Sequence, residues 1–176
     1  MMVNLQPVLA ALHDSPAFYN LLTYAIVAPL FLLWAFVILR GRTMSSKGIW
    51  LGLATIATLS LLPAYHRPHD AKILILTLPA CAVLWAEKGA SAWFAMAFTG
   101  AGILITSDLP LAALNLAVAV YHPGSMSSSR ILGLLTARPI GIVLLAESAF
   151  FVSAFVRHCR SEIASPAVLP VKFHSV

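Results

Sequence analysis

Charge is scarce in this chain of 176 residues: 10% are Asp, Glu, Lys or Arg, and six of those are acidic. Soluble domains carry about a quarter charged residues, so a water-facing globule is a poor reading. Cysteine is nearly absent. Cys81 falls inside an apolar run and Cys159 near the C-terminus, at different expected depths, which argues against a disulfide; no metal-ligand spacing accompanies them. Met1–Pro16 has no basic n-region and contains His13 and Asp14, so it does not read as a signal peptide. No internal repeat is visible. No RNA- or DNA-binding pattern goes with the net charge of +5, and no nucleic-acid partner is expected.

What the chain has in abundance is apolar sequence: 60% hydrophobic residues and a mean hydropathy of +0.91. Ser15–Leu39 and Gly89–Ser107 carry no charge at all. Recurring apolar stretches of about 18 residues argue for transmembrane helices. The expected fold is all-α: a polytopic membrane helix bundle of about five transmembrane helices plus interfacial helices over residues 1–160, then a disordered basic tail over 161–176. The lipid bilayer is the first expected partner.

Met1–Pro16 reads as a short interfacial helix or a re-entrant turn, with a stripe of Val8, Leu9 and Leu12. The expected spans are Phe18–Leu39, kinked at Pro29, then Gly48–Ala64, Lys72–Ala86, Ala92–Thr106 and Ile131–Val156. Tyr19, Tyr24 and Trp34 suit interfacial belts, and Trp85 and Trp93 flank a polar turn at Glu87-Lys88-Gly89. Leu111–Tyr121 is too short to cross comfortably and is expected to lie along the outer face. Arg40, Arg42, Lys47, Lys88, Arg157, Arg160 and Lys172 then fall on the cytoplasmic side, with Arg67, Lys72, Arg130 and Arg138 outside, the asymmetry the positive-inside rule asks for. A sixth crossing at Leu111–Tyr121 would move the Arg157 cluster outside, so five crossings are preferred. The tail from Arg157 onward reads as basic and unstructured.

One segment breaks the apolar pattern. In Tyr65-His66-Arg67-Pro68-His69-Asp70-Ala71-Lys72 the seven positions from His66 to Lys72 hold five charged or protonatable side chains, between uncharged Leu51–Pro63 and Ile73–Ala86. Charge is costly at membrane depth, so such a cluster is a functional-site hypothesis. Pro68 suits a first helical position and biases Arg67 to extended backbone. The third helix is then expected to start at Pro68, with His69 and Asp70 in its first turn, where free N–H groups and the positive dipole end gather. Arg67, His66, His69 and Lys72 add donors, and the whole suits a phosphate at the lipid–water boundary. A plainer reading has Asp70 complementing the dipole and pairing with Arg67 or Lys72 in a solvated turn. A metal held by His66, His69 and Asp70 lacks a fourth ligand, and none is expected. Asn4 and Gln6 fall on the same face as this segment and are candidate cavity-lining residues. Glu147, in an apolar run, is a proton relay, a partner of Arg138 or a residue near the interface; a structural role is preferred. Asp108, before Pro110, reads as a helix cap or interface residue.

Val3-Asn4-Leu5-Gln6, Phe18-Tyr19-Asn20, the segment from Tyr65 to Lys72 and Leu78-Pro79-Ala80 together resemble the C-terminal part of bacterial glycosyltransferase family 87 proteins, over about Val3–Val156. Tyr-His-Arg-x-x-Asp-Ala is the most specific portion. The resemblance implies a GT-C type enzyme of the bacterial inner (plasma) membrane. Such an enzyme transfers a hexose, often mannose, from a polyprenyl-phosphate-linked sugar outside the cytoplasm. It implies substrate-binding roles for Tyr65, His66, Arg67, His69, Asp70 and Lys72, and no cofactor. The acidic catalytic residue that GT-C enzymes carry in their first outer loop has no match here. The catalytic residue is therefore unassigned, and the chain is expected to be a C-terminal fragment or a truncated relative. The alternative is a non-catalytic integral membrane protein, a small transporter subunit or assembly partner, associated with other membrane subunits.

Overall fold

A computed structural model of the chain describes residues 5–10, 13, 15–40, 44–63, 70–106 and 140–164. All regular structure among them is helical: α1 (Gln6–Ala10), α2 (Pro16–Arg40), α3 (Ser46–Ser60), a 3-10 helix (Asp70–Leu76) that runs straight into α4 (Thr77–Ala86), α5 (Ala90–Thr106) and α6 (Ile140–Ala164). By length and apolar composition α2 and α6 suffice to cross a membrane, while Lys72–Ala86 and Ala90–Thr106 are shorter apolar helices. At about 1.5 Å per residue α2 and α6 are each about 37 Å long, against a hydrocarbon core of roughly 30 Å.

The third expected span is in fact two kinds of helix. Leu74, Thr77 and Ala80 are fully buried, while Ile73, Ile75, Leu76 and Leu78 are exposed. This stripe at i, i+3 spacing starts in the 3-10 helix at Leu74 and continues into α4 at Thr77 and Ala80, since both kinds of helix bring i and i+3 to one face. Pro79 has no N–H to give to the carbonyl of Ile75, and it is tolerated in the first turn of α4, where such donors are unused anyway. The Thr77 hydroxyl donates to Leu74 O at 2.6 Å across the junction. Because a 3-10 helix rises about 2 Å per residue, Asp70–Ala86 covers about 29 Å, a few ångströms more than an α-helix of the same length.

The centre of the bundle is the α3–α6 contact. Leu51, Ala54 and Leu59 on α3 meet Leu144, Phe151 and Phe155 on α6, all fully buried. Gly52 allows the close approach, since a Cβ there would sit 3.3 Å from the Phe155 ring; small residues at such crossings are what lets apolar helices pack without a hydrophobic drive between them. The buried hydroxyls of Thr55 and Thr58 donate to Leu51 O and Ala54 O within their own helix, which meets their hydrogen-bonding need. α2 lies on the outside, with Thr23 and Val27 as its buried residues and Leu21, Tyr24, Leu32, Phe36 and Leu39 exposed. Trp34 donates its indole N–H to Gly52 O at 3.1 Å and ties α2 to α3.

Two polar contacts fix the directions of the helices. Lys47, in the first turn of α3, forms an ion pair with Glu87, the C-cap of α4. Ser45, the N-cap of α3, shares a 2.9 Å hydrogen bond with His158 near the end of α6. The start of α3 and the ends of α4 and α6 therefore share one end of the bundle, here called the basic end. At the opposite end Leu5 N–H donates to Leu62 O, and Ile105 packs against the cluster that holds Ile140 and Leu144, so α5 stops where α6 starts.

α6 corrects one expectation. Residues 157–164, read from the sequence as part of an unstructured tail, are helical. Arg157 Nε donates to Ser153 O, the Ser161 hydroxyl to His158 O, and His158 faces Glu162 one turn on; these local bonds carry the helix on to Ala164. Residues 131–139 of the last expected span, Leu111–Tyr121, Asp108 and the tail beyond 164 lie outside the described residues.

Candidate functional site

The described part of the charged segment is its end. Asp70 opens the 3-10 helix, and Lys72 is exposed in its first turn. Tyr65, His66, Arg67, Pro68, His69 and Asn4 lie outside the described residues. Gln6 lies at the same end of the bundle, and its side-chain N–H donates to Asn20 Oδ1 at 2.8 Å, linking α1 to the first turns of α2.

Directly beneath this end the chain buries a carboxyl group. Glu147 lies on α6 about two turns, or roughly 10 Å, from the helix start. Its side chain is 0% exposed. The Thr99 hydroxyl of α5 donates to Glu147 Oε1 at 3.1 Å, and the Cys81 thiol of α4 donates in turn to Thr99 Oγ1 at 3.4 Å. Three helices thus contribute one residue each to a hydrogen-bonded line, Cys81 to Thr99 to Glu147. Among the described residues the other oxygen, Oε2, has no partner, and neither does the buried hydroxyl of Ser148. Oε2 lies against Gly102 of α5: a Cβ on that residue would sit 2.6 Å from Oε2 and 3.5 Å from Leu74 Cδ1. The 3-10 helix that begins in the charged segment therefore packs, through Leu74, onto the same spot as the carboxyl.

Leaving a buried carboxyl oxygen without a donor costs about 1–3 kcal/mol or more. No Lys, Arg or His among the described residues pairs with Glu147, and Arg138, the partner weighed from the sequence, lies outside them. Comparison of the chain with family models, with curated proteins and with solved structures gives no match. The site therefore has to be read from its own geometry. Sequence reasoning singled out Glu147 and missed its partners Thr99, Cys81 and Gly102. Thr99 and Gly102 are spaced i, i+3 on α5 and so share a face, but nothing in the sequence says that this face meets α6. No group of three or more His, Cys, Asp or Glu side chains suited to a metal ion is present among the described residues.

Proposed function

We propose that the chain is a polytopic membrane bundle of five crossings, multi-pass in a bacterial inner membrane. In this reading its outward end binds the phosphate of a polyprenyl-phosphate-linked sugar, as the C-terminal part of a hexose-transferring GT-C type enzyme. The observation that carries this reading is the antiparallel order of the helices. The basic turns at Arg40, Lys47 and Lys88 and the Arg157 end of α6 belong to one end. The charged segment joins α3 to the 3-10 helix at the other. α5 stops at the end where α6 starts, which supports the reading that Leu111–Tyr121 lies along the outer face and does not cross. Positive-inside orientation then turns the charged segment outward.

A polyprenyl-phosphate donor keeps its tail in the bilayer and its phosphate at the surface. During transfer the leaving phosphate gains charge, so cationic donors held at that depth stabilise the transition state more than the ground state. Arg67 and Lys72 supply the charge, His66 and His69 supporting donors, Tyr65 a ring and hydroxyl at the rim, and Asp70 orients Arg67. The test is polyprenyl-phosphate binding to the purified protein in nanodiscs. Arg67→Ala is expected to weaken binding by about 1.5–3 kcal/mol through loss of a charge-assisted hydrogen bond, while Arg130→Ala changes little. Equal, small effects would leave the segment a solvated turn.

Glu147 favours a second reading, a small transporter subunit in which the line Cys81–Thr99–Glu147 carries a proton, because mid-span carboxyl groups mark ion and proton paths. Loss of proton-coupled transport in Glu147→Gln with lipid-phosphate binding intact would select it over the first.

A further inference from the structure

We propose that the cleft at the basic end of the bundle is a binding site for a phosphate oxyanion, separate from the charged segment at the opposite end. The cleft has a volume of about 260 Å³ and an apolar floor, and its rim carries Lys47, Glu87, Ser91, Arg157, His158 and Ser161. Four helices meet there: α3, the end of α4, the start of α5 and the end of α6. Three cationic or protonatable side chains and two hydroxyls thus converge on a space that suits one phosphate group better than a whole ligand of drug size.

The state of each rim group points the same way. Arg157 is exposed, and its Nε donates to Ser153 O at 3.2 Å. Its two terminal guanidinium nitrogens have no partner among the described residues, which leaves the planar fork free for a bidentate bond to an oxyanion. Lys47 is engaged by Glu87, so the cleft in this state holds a carboxylate where an anion would bind, and the lysine is already positioned for an incoming charge. His158 lines the cleft with its Nε2 2.9 Å from Ser45 Oγ and 3.2 Å from Glu162 Oε1, both contacts falling on that one nitrogen. Of the charged residues on the cleft itself, Lys47 and Arg157 face the single carboxylate of Glu87, and at this end of the bundle the described Arg40, Lys88 and Arg160 add positive charge against Glu162. Trp85 and Trp93, with ring centroids 5.1 Å apart beside Lys88, are the aromatic pair that commonly marks the headgroup level. The shared chemistry is the phosphate group, supplied either by an anionic lipid of the adjoining leaflet or by a free phosphate in solution.

The experiment measures the thermal unfolding midpoint of the full chain in phosphatidylcholine nanodiscs. The midpoint is compared with that in nanodiscs containing phosphatidylglycerol and, separately, with that in phosphatidylcholine nanodiscs titrated with inorganic phosphate. A rise with phosphatidylglycerol alone supports a lipid headgroup as the source, and a rise with both supports the phosphate group itself. Arg157→Ala is expected to weaken the effect about tenfold or more, the equivalent of one charge-assisted bond. Arg160→Ala, a neighbouring cation off the rim, is expected to change it by no more than about twofold, as a screened surface charge does. Glu87→Gln is expected to tighten binding, because it frees Lys47; a gain cannot arise from misfolding. No rise in either titration, equal losses at Arg157 and Arg160, or unchanged or weaker binding in Glu87→Gln would each overturn the proposal.

Discussion

Replacing Gly102 with Ala tests the buried carboxyl contact most sharply. In an ordinary helix the change is favourable, because glycine is about 1 kcal/mol worse than alanine in a helix interior. Here the new Cβ would lie 2.6 Å from Glu147 Oε2. A carbon and a carbonyl-type oxygen in close contact normally stand about 3.3 Å apart, so one of them has to move by roughly 0.7 Å. Glu147 has no solvent to move into, since its side chain is 0% exposed and Oε1 is held by Thr99. Overpacking of this kind costs about 1–3 kcal/mol, which offsets the propensity gain and leaves Gly102→Ala neutral to destabilising by about 2 kcal/mol. In a Glu147→Ala background the obstacle is gone, and the same change should stabilise by up to about 1 kcal/mol. A Glu147→Gln background keeps the bulk and should keep the penalty. The assay is reversible unfolding in detergent across the double-mutant cycle, with a coupling of about 1–3 kcal/mol expected between positions 102 and 147. Additivity within about 0.5 kcal/mol would refute the contact, because residues that do not touch behave that way.

Two further predictions concern the ends of helices. Ser45 accepts from Gly48 N–H at 3.2 Å as the N-cap of α3, so Ser45→Ala should cost about 1 kcal/mol while Ser45→Asp largely retains stability; equal losses in chemical denaturation would rule out a capping role. Lys88 follows the C-cap of α4 with a φ of 55°, a left-handed conformation in which glycine avoids a steric cost of about 1–2 kcal/mol. Lys88→Gly should therefore raise the unfolding midpoint, and a fall would contradict that account of the turn.

How much of this was legible in the sequence differs from element to element. The helical class followed from apolar runs, and the polar turn at residues 87–89 followed from charge and glycine. The 3-10 geometry of Asp70–Leu76 was hidden, since its composition is that of any apolar helix. Pairings between helices were hidden for a related reason. Sequence periodicity marks a buried face when the opposite face is polar, but α2, α4 and α5 are apolar all round, so no contrast points Thr99 toward Glu147 or Trp34 toward Gly52. The helical continuation through 157–164 was lost because a basic, polar stretch was read as tail, although its i, i+4 partners His158 and Glu162 were visible in the order of residues.

The proposed orientation puts the basic end of the bundle inside and the charged segment outside. An impermeant thiol reagent applied to intact cells measures it directly, in a background where the buried Cys81 and Cys159 are replaced by alanine. His69→Cys is expected to be labelled in intact cells, and Ser46→Cys only after the membrane is permeabilised. Labelling of Ser46→Cys but not His69→Cys in intact cells would contradict it.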